Sequence, residues 1–132
     1  MRISKPQIND KVILDDSLDE VRFSFKYLQD KSITPKTESK FYYDFLFRLK
    51  RLSELGWLGI NHSDKHSYGV ELIPINQIKY TENISVLTRD ISKLTVFRAT
   101  GDNHAFMGVR DRKCFYVIFI EAKFGDIYSH GK

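Results

Sequence analysis

Apolar residues recur every three or four positions between residues 41 and 55, which is the spacing of one face of an α-helix. Thr34 followed by Pro35 predicts the start of this helix, and Gly56 predicts its C-cap. The charged residues fall on the other side, so one amphipathic helix should pack against a sheet. The apolar face consists of Phe41, Tyr42, Phe45, Leu49, Leu52 and Leu55.

Alternation of apolar and polar residues predicts strands on either side of that helix. Residues 21–29, VRFSFKYLQ, alternate as a half-buried strand does. The last third of the chain contains the strand-like runs LTVFRAT, HAFMGVR, CFYVIFIEA and FGDIYSH, separated by turn signals. Residues 57–78 are rich in turn signals and predict a loop with a short helix or strand. The pattern predicts a single α+β domain spanning residues 1–132. It has an antiparallel sheet of about four to five strands packed on one main amphipathic helix.

Strand register decides which side chains of the last third share a face, because a one-residue slip exchanges the two faces. A three-residue loop at residues 101–103 would pair Arg98 with Phe106. That register groups Arg98, His104 and Arg110 on one face and turns the other face toward the helix. The helix-facing set would then include Phe97, Met107 and Val109.

The second turn leaves two registers open. A three-residue loop at residues 111–113 adds Tyr116 to the face of Arg110, whereas a two-residue turn adds Phe115 instead.

Charge is spread unevenly along the chain. The net charge is +4, and residues 93–132 carry seven Lys and Arg against four Asp and Glu. A basic bias favours anionic partners such as RNA, DNA or an acidic protein. The single Cys114 cannot form an internal disulfide, no apolar run is long enough for a membrane span, and the N-terminus lacks the apolar core of a signal peptide. These features predict a cytoplasmic protein with no membrane partner.

Several side chains of the last third are candidates for chemistry on a phosphate. Arg98 and Arg110 could stabilise negative charge at phosphorus. Tyr128 and His130 alternate along the last predicted strand and could exchange protons. Further candidates for nucleic-acid binding are His104, Arg112, Lys113 and Lys123. The pair His62 and His66 lacks additional ligands, so neither a metal nor another cofactor is expected.

Residues 93–130 resemble the RelE-like toxins of toxin–antitoxin systems. The resemblance lies in a basic antiparallel sheet, a strongly apolar central strand and a tail that ends in Tyr and His. It implies a ribosome-associated mRNA endonuclease that uses no metal and takes the RNA 2′-hydroxyl as nucleophile. Carried over, Arg98 and Arg110 would stabilise the phosphate, and Tyr128 and His130 would be the acid and base.

The resemblance also implies partners, namely RNA, the ribosome and an antitoxin or other protein. Two alternatives use the same C-terminal sheet without catalysis. One is a non-enzymatic binding module for nucleic acid or protein, and the other is an inhibitor from a phage or mobile element.

Overall fold

The computed structural model describes residues 19–64, 67–100, 104–123 and 127 of the chain. One long helix, α1, packs against a five-stranded sheet whose strand order is β1-β5-β4-β3-β2. Strand β1 runs parallel to β5, and all other neighbours are antiparallel. This confirms the predicted α+β class. The elements are β1 (Arg22–Ser24), α1 (Ser39–Asn61), β2 (Glu71–Pro74), β3 (Lys93–Arg98), β4 (Ala105–Asp111) and β5 (Cys114–Glu121).

Strand β1 is shorter than its alternating pattern predicts. Only three residues pair with β5, and the chain then turns, with the amide of Leu28 donating to the carbonyl of Phe25 at 3.1 Å. A 3₁₀ turn follows at Asp30–Ser32. Alternation alone could not reveal this stop, because the partner strand lies far away in the sequence.

Helix α1 begins at Ser39, so the predicted start at Thr34 and Pro35 was wrong. The Thr34 side chain instead closes a turn of its own: its hydroxyl accepts from the Lys36 amide at 3.2 Å. The Thr37 amide donates to the Thr34 carbonyl, also at 3.2 Å. Thr and Pro favour such turns as well as helix starts, and here the turn is what forms.

Gly56 breaks the helix without ending it. Its φ of 74° and ψ of 171° are not helical, yet the helix resumes and runs to Asn61. The side chain of Asp19 caps the second segment, with Oδ1 accepting from the Trp57 amide at 3.0 Å and Oδ2 from the Leu58 amide at 3.1 Å. The predicted C-cap at Gly56 therefore holds for the first segment only, because a distant carboxylate restarts the helix.

The register of β3 against β4 differs by one residue from the prediction. Phe97 pairs with Phe106, and Arg98 pairs with Ala105. The last backbone hydrogen bond before the connection runs from the Ala99 amide to the His104 carbonyl, at 2.9 Å. The connection therefore spans residues 100–103, one residue more than the predicted 101–103. The grouping of Arg98 with His104 and Arg110 was therefore wrong: alternation puts Arg98 on the opposite face of the sheet.

The turn between β4 and β5 follows the two-residue alternative. Asp111 pairs with Cys114, so Phe115 shares a face with Arg110, and Tyr116 lies on the other face. Arg112, in the turn, has a φ of 58°.

A β-bulge lies further along the same pair of strands. Met107 pairs with Phe119 and Gly108 pairs with Val117, which leaves Ile118 as the extra residue of β5. The backbones approach closely here: a Cβ on Gly108 would lie 1.8 Å from the Tyr116 carbonyl oxygen. Glycine at this position permits the bulge.

Both faces of the sheet are buried. On the helix side, Phe97 and Phe106 stack with ring centroids 5.0 Å apart. On the other side, Met107 packs with isoleucines from the segment that follows α1. The predicted helix-facing set was therefore wrong, because Phe97 and Met107 are buried on opposite faces. The helix-side core also contains Phe45, Leu52, Trp57, Ile60, Phe115 and Val117, and the other core contains Ile73, Ile78, Ile84, Leu94, Ile118, Phe119 and Ile127.

No helix in the described ranges is both long enough and apolar enough to cross a membrane.

Candidate anion-binding cleft

A cleft of about 450 Å³ opens beside the first turn of α1, where the segment before the helix meets the end of β5. Three lysines line it, Lys31, Lys36 and Lys123, together with His104. Glu38 is the one carboxylate among the described lining residues. We call this site the basic cleft.

The 3₁₀ turn at Asp30–Ser32 positions Lys31. The Ser32 hydroxyl donates to the Gln29 carbonyl at 2.7 Å, which fixes the turn. The ammonium of Lys31 lies 4.6 Å from the centroid of the Tyr80 ring, a cation–π contact. Lys31 thus borders the basic cleft, with its ammonium group against the ring of Tyr80, which is not a lining residue of the cleft.

Tyr42 ties the loop that carries Lys36 to the helix. Its hydroxyl donates to the Thr34 carbonyl at 3.2 Å and accepts from the Thr34 amide at 3.4 Å. The loop therefore lies against the helix with Lys36 and Thr37 lining the basic cleft. A lysine on an anchored loop loses less freedom on binding than one on a mobile loop.

His104 is half-buried at the start of β4. Its ring packs edge-on against Phe41, with centroids 5.4 Å apart. Phe41 in turn stacks on Phe45 at 6.3 Å, so the imidazole is supported by the core of the helix side. The basic cleft therefore combines aromatic surface with positive charge.

Buried Glu121 holds Ile127, one of the lining residues of the basic cleft. The side chain is fully buried, and its Oε2 accepts from the Ile127 amide at 3.0 Å. The Ile127 carbonyl accepts from the Lys79 amide at 2.7 Å. Ile120 and Ile127 thus add apolar surface to the lining of the basic cleft.

This arrangement suits an anion with several oxygen acceptors. Lysine ammonium groups bind phosphates as point charges, and the hydroxyls of Thr34 and Thr37 add hydrogen-bonding groups. The described residues contain no group of three or more His, Cys, Asp or Glu side chains that could hold a metal ion. The cleft therefore suits an anion better than a divalent cation.

The nucleic-acid candidates divide between the two ends of β4. His104 and Lys123 line the basic cleft, at the beginning of the strand. Arg112 and Lys113 form the turn after its end. The six residue steps of β4 span about 20 Å, so these two pairs do not share one pocket.

Arg110, a predicted catalytic residue, packs on the single tryptophan. Its guanidinium carbon lies 3.8 Å from the centroid of the Trp57 ring, and its Nε donates to the Arg112 carbonyl at 2.7 Å. Arg112 itself is exposed, with its guanidinium 3.5 Å from the Asp111 carboxylate.

The backbone of Lys113 joins three distant segments. Its carbonyl accepts from the Trp57 indole at 3.1 Å and from the Arg22 amide at 2.9 Å. These contacts give Lys113 a structural role in addition to any role of its charged side chain.

Arg98 lies at the same end of the sheet as His104 but on the opposite face. Its carbonyl accepts from Arg48 Nε at 3.2 Å. Burial is the main reason why the pKa of Arg48 lies below its ordinary value. Tyr128 and His130 lie outside the described residues, so their catalytic role with Arg98 stays a prediction.

Sequence reasoning missed Lys31, Lys36 and Glu121. The lysines lie in a turn and a loop, where no periodicity marks a shared face. Glu121 lies at the end of an apolar run. A carboxylate at such a position indicates a buried side chain, and a buried carboxylate requires a hydrogen-bond donor.

Comparison with family models, with curated proteins and with solved structures gives no match for this chain. The resemblance to RelE-like toxins therefore stays a prediction based on residues 93–130.

Proposed function

We propose that the protein binds single-stranded RNA in the cytoplasm, with the sugar–phosphate backbone in the basic cleft. The observation that supports this most is the convergence of Lys31, Lys36 and Lys123 around His104. Lys31 and Lys36 belong to the segment before α1, His104 precedes β4 and Lys123 follows β5. Their meeting at one cleft is unlike the dispersed lysines of an ordinary surface.

The aromatic surface of the cleft favours a nucleic acid over a small inorganic anion. Phe41 lies beside His104, and aromatic side chains can stack on unpaired bases. The hydroxyls of Thr34 and Thr37 can exchange hydrogen bonds with the RNA 2′-hydroxyl. The net charge of +4 would also steer a polyanion toward the protein.

Binding is tested by fluorescence anisotropy of a labelled single-stranded RNA, titrated at several salt concentrations. The cleft variant replaces all three lysines with alanine: Lys31→Ala, Lys36→Ala and Lys123→Ala. We expect an affinity loss of about tenfold or more at low salt. The slope of log K against log salt should fall in magnitude by about 2, since each lost phosphate contact on a single strand contributes about 0.7.

A control variant removes the same charge elsewhere, with Lys26→Ala, Arg89→Ala and Lys93→Ala. These residues do not line the basic cleft. The control should lose less affinity than the cleft variant at equal ionic strength. Equal losses in both variants would mean that net charge alone attracts the RNA, and the proposal would be wrong.

RNA cleavage is the finer prediction, and it requires its own readout. Incubation of the RNA with wild-type protein and with Arg98→Ala and His130→Ala variants, followed by gel analysis, separates cleavage from binding. A RelE-like endonuclease would cleave in the presence of EDTA and lose cleavage in both variants while it retains binding. If the RNA stays intact with the wild-type protein, both alone and with ribosomes, the endonuclease prediction is wrong. The non-enzymatic binding module is then the function that remains.

A further inference from the structure

The solvent-facing side of α1 carries three large apolar side chains within two turns. The exposed fractions are 63% for Tyr43, 66% for Leu46 and 52% for Phe47. The rings of Tyr43 and Phe47 pack together with centroids 4.9 Å apart. Contiguous apolar surface of this kind commonly marks an interaction site. We call this side of the helix the outer face.

Charged residues flank these side chains in a regular order. Lys40 forms an ion pair with Asp44 at 2.6 Å, and Lys50 forms one with Glu54 at 2.5 Å. Hydrogen bonds from Lys50 and Arg51 hold the pKa of Glu54 below its usual range. From its N-terminal end, the order along the outer face is therefore positive, negative, apolar, positive and negative, with Arg51 as a further cation beside Glu54.

That order is complementary to itself when the helix direction is reversed. In an antiparallel pair centred on Phe47, Lys40 of each helix faces Glu54 of the other, and Asp44 faces Lys50. A two-fold interface requires this property, because the same surface occurs on both partners. A parallel pair in register would instead oppose like charges at every one of these positions.

We propose that the outer face of α1 binds a second copy of this chain, as an antiparallel helix pair with Phe47 at its centre. The uninterrupted part of the helix, from Ser39 to Leu55, is about 26 Å long. Two such segments can pack along their length at the shallow angle typical of antiparallel helices. The aromatic rings of Tyr43 and Phe47 supply the apolar centre, and the four charged pairs set the direction.

Charge complementarity favours a second copy over RNA at this face. Each cation of the outer face lies beside a carboxylate: Lys40 pairs with Asp44, and both Lys50 and Arg51 pair with Glu54. A phosphate backbone would meet Asp44 and Glu54 as well as the lysines. The proposal is independent of RNA binding, since it uses a different surface.

Sedimentation equilibrium across a concentration series tests the oligomeric state. We expect the wild-type protein to dimerise below about 100 μM, in the affinity range of a modest interface. Phe47→Glu should be a monomer with a wild-type circular dichroism spectrum. The matched control is Leu72→Glu, which adds a carboxylate at another apolar side chain that is 57% exposed, and it should dimerise normally.

Charge exchange tests whether these charged side chains pair across the interface. An all-basic variant carries Asp44→Lys and Glu54→Lys, and an all-acidic variant carries Lys40→Glu and Lys50→Glu. Each variant alone should be monomeric, whereas an equimolar mixture should form a heterodimer at least about tenfold tighter than either homodimer. Native mass spectrometry distinguishes the heterodimer by its mass.

Three outcomes would overturn the proposal. One is a wild-type protein that stays monomeric over the whole concentration series. Another is a dimer that Phe47→Glu leaves intact, which would assign the interface to another surface. The third is a loss of RNA affinity in Phe47→Glu without any change in mass, which would assign the outer face to RNA.

Discussion

Replacement of Gly56 with alanine tests how α1 is built. The φ of 74° and ψ of 171° at Gly56 lie in a region of backbone space that is essentially restricted to glycine. A Cβ at this position would also lie 2.5 Å from Oδ2 of Asp19, the carboxylate that caps the second helical segment. The substitution therefore strains the backbone and displaces the cap together.

Both effects lower the free energy of unfolding. The unfavourable backbone conformation costs about 1–3 kcal/mol. Displacement of the Asp19 cap from the amides of Trp57 and Leu58 costs about 1–2 kcal/mol more. We expect Gly56→Ala to lose about 2–5 kcal/mol, a large part of the roughly 5–15 kcal/mol that stabilises a typical domain.

Urea unfolding followed by far-UV circular dichroism measures this loss, with Gly59→Ala as the matched control. A Cβ at Gly59 lies 3.1 Å from the Leu55 Cβ, a tight contact that a small shift relieves. Alanine also favours the helix by up to about 1 kcal/mol. Gly59→Ala should thus stay near or slightly above the stability of the wild-type protein.

A double-mutant cycle separates strain from capping. Asp19→Ala alone should cost about 1–2 kcal/mol. In the double variant the two losses should sum to less than their separate values, because each single change already removes the same cap. A Gly56→Ala protein within about 0.5 kcal/mol of the wild type would refute the reasoning, since surface changes without a structural role fall in that range.

Two further substitutions test the sheet. Gly108→Ala should cost about 3 kcal/mol or more and lower the urea midpoint, because its Cβ would lie 1.8 Å from the Tyr116 carbonyl oxygen; a midpoint close to that of the wild type would contradict the close approach at the bulge. Arg110→Ala should cost about 0.5–1 kcal/mol and change the fluorescence of Trp57, the single tryptophan of the chain, since the guanidinium covers its ring. An unchanged emission spectrum would show that the two groups do not touch in solution.

The sequence predicted the elements of the fold better than their pairing. Periodicity identified α1 and the strands β3, β4 and β5, because each buries a regular set of apolar side chains. It could not identify the parallel contact of β1 with β5, which depends on residues far apart in the chain. It also could not foresee that Asp19 would restart the helix after Gly56.

The sequence identified some residues of the basic cleft and missed others, for two physical reasons. A connection one residue longer than expected, between β3 and β4, moved Arg98 to the face opposite His104. His104 and Lys123 do lie in one cleft, but Lys31 and Lys36 reach it from a turn and a loop. Their convergence arises from tertiary packing, which no local pattern encodes.

The short outer strands have a consequence for assembly. In the described part of the chain, β1 forms one edge of the sheet with three residues, and β2 forms the other with four. Strand β2 ends in Pro74, which has no amide hydrogen to donate to an added strand. Edges this short offer little template for added strands, which disfavours open-ended assembly through the sheet and favours association through side-chain surfaces.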